Sequence, residues 1–145
     1  MHLYRAIALS FAVVFAAAGL VFLVAPATLW TAIEQAAETV GMEGMPAGDA
    51  QAGLFRALAV AYMYVVALLA WMMFRRPAEP IWAGLLAHAK LASAVISLLL
   101  FAFHGRYFAY VANGVVDGAI GVTALVLRGI AAGLRGANPS SGPRL

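Results

Sequence analysis

The chain contains no cysteine. That excludes disulfides, thiolate metal sites and cysteine nucleophiles, and it leaves the redox compartment unmarked. Charge is scarce as well. Asp, Glu, Lys and Arg make up 10% of the 145 residues, against about a quarter of an average soluble domain. There is no Gly-x-Gly-x-x-Gly or P-loop pattern, no repeat with a period of about 20–50 residues, and no pair of histidines spaced for haem. No nucleophile and base fall into a recognisable pairing, so no catalytic residue and no metal site are assigned.

What is present is apolar. Hydrophobic residues form 65% of the chain, and the mean hydropathy is +0.93. A soluble fold of this length cannot hide that much apolar surface, so a lipid bilayer is the natural solvent and first partner. The net charge is +3. The basic residues stand at the ends of apolar runs instead of forming one patch. That is a topology signal and gives no support to nucleic-acid binding.

Four long apolar runs stand out, at residues 6–25, 54–74, 81–103 and 107–127. Twenty helical residues at about 1.5 Å each cross a hydrocarbon core of about 30 Å. The runs lack the alternation of barrel strands, so the expected fold class is all-α: four transmembrane helices in an antiparallel bundle. Residues 1–128 form the single membrane domain, and 129–145, rich in Gly, Pro and Ser, form a flexible tail.

Arg5, Arg75, Arg76, Arg128, Arg135 and Arg144 flank one side of the runs. The connection over residues 27–53 carries Glu34, Glu38, Glu43 and Asp49 with no Lys or Arg. The positive-inside rule then places both termini and the "RRPAEP" turn in the cytoplasm. The acidic connection lies outside, as a linker, a lid or a docking element. Within it Leu29, Ile33, Ala36 and Val40 share a helical face. Thr31 and Glu34 fit a capping box, and Trp30 suits the membrane boundary, so a short surface helix ending near Gly41 is expected, followed by a loop to Gly53. Residues 1–27 also admit a second reading, a cleaved signal peptide with Ala25 and Ala27 at the cleavage site.

Ionisable residues inside spans are costly and usually face the bundle interior. The candidates are Arg56, His88, Lys90 and Asp117, with Asn113, Ser93 and Ser97 beside them. In the last two runs, Ser97 and Asn113 are each eight residues from Gly105, and Ser93 and Asp117 each twelve. A hairpin turning at "HGR" therefore sets them at matching depths. Lys90 is fifteen residues from Gly105, an axial offset from Asp117 of roughly 4.5 Å. The two side chains lean apart, each toward its own helix N-terminus. A direct bond requires Lys90 to curl back; a water or a serine hydroxyl is the alternative. His88 points to the other side of its helix. Arg56 either anchors to lipid head groups or reaches Asn113 or the acidic connection. The Tyr, Trp and Met residues of the second run are taken as packing and boundary anchors.

The stretches "GLVFLVAP", "LFRALAVAYMYVVALLA" and "VVDGAIGV", with a short basic turn containing Pro and a Lys in the third run, resemble small four-helix bacterial membrane proteins, the DoxX-like group among them. The resemblance implies a bacterial inner-membrane location, singles out Arg56, Lys90 and Asp117, and brings an association with quinone or thiol redox chemistry. With no Cys, this chain has no thiol of its own to offer.

Three functions fit these features. One is a non-enzymatic accessory subunit or a module binding a lipid or small molecule, with bound lipid or quinone as its ligand and no fixed cofactor. The second is an oligomeric proton-linked transporter or channel titrating at Asp117. The third is a redox or lipid enzyme acting with a partner, to which Asp117, Lys90, His104 and Tyr110 would contribute. A homo-oligomer or a larger membrane complex is compatible with each.

Overall fold

A computed structural model of the chain describes residues 1–44 and 49–137. The described residues form five helices: α1 (His2–Val24), α2 (Pro26–Thr39), α3 (Asp49–Arg75), α4 (Pro80–Phe103) and α5 (Phe108–Ala137). Four of them, all but α2, are long and apolar enough to cross a membrane.

Proline sets two of the starts. Pro26 and Pro80 stand in the first turns of α2 and α4, where a missing N–H costs nothing. Pro26 thus opens a helix immediately after α1 has ended at Val24. The early start also removes the expected capping box: Thr31 lies inside α2, and its hydroxyl donates to Ala27 O at 3.1 Å. Leu29, Trp30, Ile33 and Ala36 are half-buried and Ala37 is buried, so the expected face is covered as far as the helix runs, and Val40 is exposed beyond its end. Gly41, at φ 69°, ends the segment in the left-handed region that favours glycine.

Two further boundaries differ from expectation. The loop to Gly53 is cut short because α3 already begins at Asp49; its residues 45–48 lie outside the described residues. The tail is helical up to Ala137. Gly129, Gly133 and Gly136 each cost about 1 kcal/mol of helix propensity. Ala131 is fully buried in the core and holds that extension down. Residues 138–145 of the tail lie outside the described residues.

The helices pack as two pairs, α1 with α3 and α4 with α5, joined mainly through α3 and α4. The α4–α5 pair is antiparallel. Gly84 lies by Arg128, Leu91 by Gly121 and Leu98 by Gly114, so one number rises as the other falls. The hydrophobic core sits at one end of the molecule. It takes Tyr4, Ala8, Ala12 and Phe15 from α1, Val66, Ala70 and Met73 from α3, Ala83, Leu86 and Ala87 from α4, and Ala124, Leu127 and Ala131 from α5. Toward the other end burial thins: between Phe55 and Val65 no side chain of α3 is buried. There α2 touches both α1 and α5, and the chain after it is tied to the start of α5 by Phe108 N–H donating to Glu43 O at 3.3 Å.

Apolar side chains such as Val13, Leu20, Val65, Ile96 and Val116 point outward along all four long helices. At most 28% of any apolar window is buried. Four helices of this composition that leave most of their apolar surface uncovered mark an integral membrane protein.

Candidate functional site

Lys90 and Asp117 meet directly. Lys90 Nζ donates to Asp117 Oδ1 at 2.8 Å, so the lysine does curl back across the offset between the helices. The side chains are 1% and 6% exposed. α4 presents Lys90 on the face of Ala83, Ala87, Ala94 and Ser97, all buried; three of these are alanines, whose small volume lets α5 approach.

An ammonium has three donors, and one carboxylate oxygen satisfies one of them. Aromatic faces cover the rest of the charge. Nζ lies 4.6 Å from the ring centre of Phe15 on α1 and 4.9 Å from that of Tyr62 on α3, both within cation–π range. The buried lysine is therefore a meeting point of all four long helices. Tyr62 is itself held, its hydroxyl donating to Ala89 O at 3.1 Å. That carbonyl belongs to the residue just before Lys90, so the ring and the cation are positioned against the same turn of α4.

Tyr62→Phe should keep the ring beside Lys90 and lose this hydrogen bond together with the hydroxyl's contact to Ser93. The expected cost is about 0.5–1.5 kcal/mol, read as a fall in unfolding free energy in mixed micelles. Tyr62→Leu loses the aromatic face as well and should cost more.

A second polar group sits one to two turns away, toward the less buried end. Asn113 Nδ2 donates to Ser97 Oγ at 2.8 Å and to Ser93 Oγ at 3.2 Å. Ser97 is buried, Ser93 is half-buried and Asn113 is exposed. The polar residues expected at matching depths are thus divided, with the ion pair beneath and the Asn–Ser group above it at the open end. On α3, Phe55 and Leu58 lie seven and four residues before Tyr62, on the same helical face, and both are more than half exposed. An apolar face of α3 therefore continues past Tyr62 at the end where Asn113 stands.

The remaining candidates are elsewhere. Arg56 is exposed and six residues from Tyr62, about 120° round the helix. Among the described residues Asn113 bonds only the two serines, so Arg56 does not serve it. His88 is exposed, as its position two residues from Lys90 demands. His104 caps the C-terminus of α4, and Tyr110 packs edge-on against Tyr107 with ring centres 5.9 Å apart. Neither joins the ion pair. Among the described residues no three His, Asp or Glu side chains converge as a metal site would need.

Phe15 and Tyr62 were missed from sequence, because aromatic residues in apolar runs are usually packing. Their signal was available only in combination. A buried lysine needs its donors covered, and α1 and α3 each bring an aromatic ring to it. No protein-family model, curated protein or solved structure matches the chain.

Proposed function

We propose that the chain is a multi-pass protein of the bacterial inner membrane that binds a lipid or lipid-like small molecule and is not itself an enzyme. Its four spans form an antiparallel bundle with both termini cytoplasmic, and α2 lies along the external surface. α1 stays in the mature protein, since Phe15 covers Lys90 and Tyr4, Ala8 and Ala12 belong to the core.

One observation carries the binding reading. Asn113, five residues beyond the start of α5 at Phe108, is exposed while its neighbour Asp117 one turn deeper is buried. Its N–H groups are met by the two serines, but Oδ1 has no donor among the described residues, and an unpaired acceptor away from water is costly. The apolar face of α3 at Phe55 and Leu58 offers the chain of an amphiphile a surface, and the amide offers its polar end a partner. The reading stands on this geometry and needs no likeness to DoxX-like proteins.

Extraction in a mild detergent, followed by organic extraction and mass spectrometry, tests it. The wild-type protein is expected to carry a bound amphiphile through purification, and Asn113→Leu is expected to lose it. An unaccompanied wild-type protein, or an adduct equally abundant in the variant, would sink the reading.

A further inference from the structure

The polar group above the ion pair is specific about what it can hold. Both N–H groups of Asn113 are spent on Ser97 and Ser93, which leaves Oδ1 as an acceptor. Ser and Thr in helices often donate back to a carbonyl one turn earlier. Thr123 does so, to Ala119 O at 2.8 Å. Ser97 makes no such bond among the described residues, so its hydroxyl proton remains available beside the amide, while the Ser93 hydroxyl also meets that of Tyr62. The group therefore offers the Ser97 proton as a donor, with open lone pairs on Asn113 Oδ1 and on the serine oxygens, within one turn of helix.

Its charge is equally restrictive. The nearest cation, Lys90, is neutralised by Asp117 at 2.8 Å and faced by two aromatic rings. Arg56 lies off the Tyr62 face, and His88 is on the outer side of α4. A phosphate or carboxylate head would enter a low-dielectric site with no free counter-charge, at high cost. It would also set its acceptor oxygens against Asn113 Oδ1. An ammonium head would likewise find no free counter-charge, since the Asp117 carboxylate is taken by Lys90. A carbonyl head such as a quinone accepts only, and would leave Oδ1 unmatched. A hydroxyl both donates and accepts and carries no charge.

Resting on the lipid-binding reading, we propose that the ligand class is an uncharged lipid alcohol, a diacylglycerol or a long-chain alcohol. Its hydroxyl is seated on Asn113, Ser93 and Ser97, and its chain lies along the α3 face of Phe55 and Leu58.

The test is a native mass spectrometry titration of the full chain in detergent with dioleoylglycerol, oleic acid and dioleoylphosphatidylglycerol as separate probes. Dioleoylglycerol is expected to bind most tightly, with Asn113→Leu and the Ser93→Ala/Ser97→Ala pair each weakening it about fivefold, as the loss of one hydrogen bond implies. The wild-type ranking needs no variant to fold. If oleic acid or phosphatidylglycerol binds as tightly and depends on Asn113, the alcohol assignment is overturned while the lipid-binding reading stands. If no probe depends on Asn113 or the serines, both fall together.

Discussion

Removing either partner of the buried ion pair should cost about 3 kcal/mol or more, while removing both should cost little. The reason is the charge left behind. Helix–helix polar contacts in membranes average only about 0.6 kcal/mol by mutational coupling, so losing the bond itself is a minor part. Stranding an ion in an apolar interior is the major part, about 3–5 kcal/mol where it has been measured. The two single changes should not be equal. Asp117→Leu leaves an ammonium that is 1% exposed, with only ring faces around it; Lys90→Met leaves a carboxylate that is 6% exposed and on the open side. Water can reach the second more easily than the first. Asp117→Leu should therefore be the more damaging, and Lys90→Met with Asp117→Leu should recover most of the loss. Unfolding titrations of the four proteins in mixed micelles give the coupling directly, and a value below about 1 kcal/mol would show that the pair is not a stability unit. The folded double variant also separates structure from function. If it keeps its bound lipid, the pair serves only to hold the four helices in register beneath the Asn–Ser group.

The membrane class and the third span were legible because they depend on local content. A run of apolar residues between charged ends needs no tertiary information, and α4 follows its expected bounds within a residue. The depth match of Lys90 with Asp117 was legible for a similar reason. A turn as short as the one at Gly105 leaves the hairpin little freedom of register. Legibility ended where neighbours outside that hairpin decide. Nothing in the second run distinguishes Tyr62 from Tyr64, yet Tyr62 covers Lys90 while Tyr64 is exposed. The helical extension through Ala137 was hidden because its glycines look like breakers in isolation. The burial of Ala131 that offsets them comes from the other helices. Thr31 failed as a cap because the proline rule, which acts five residues earlier, took precedence.

Among the glycines of α5, Gly121 is where a single methyl group should do the most harm. Three positions on α5 set the sign. A Cβ at Gly129 meets nothing within 4 Å, so Gly129→Ala should gain helix propensity, up to about 1 kcal/mol. A Cβ at Gly114 would lie 2.8 Å from Leu98 Cγ and Cδ2. Leu98 is 45% exposed and can rotate toward lipid, so Gly114→Ala should be nearly neutral. A Cβ at Gly121 would lie 2.7 Å from Leu91 Cγ and 3.2 Å from Leu91 N. The side chain can give way, but the backbone of α4 cannot move without carrying its neighbour Lys90 with it. Overpacking of this kind costs about 1–3 kcal/mol, which exceeds the propensity gained. Gly121→Leu should go further and force α4 and α5 apart one turn from Asp117, breaking the ion pair and adding its stranding cost. The measurement is a series of melting curves for Gly129→Ala, Gly114→Ala, Gly121→Ala and Gly121→Leu. Stability should fall in that order, with Leu91→Ala restoring part of the loss in Gly121→Ala. A Gly121→Ala protein as stable as the wild type, with Leu91 intact, would show that the close approach of the two helices is not what holds Lys90 to Asp117.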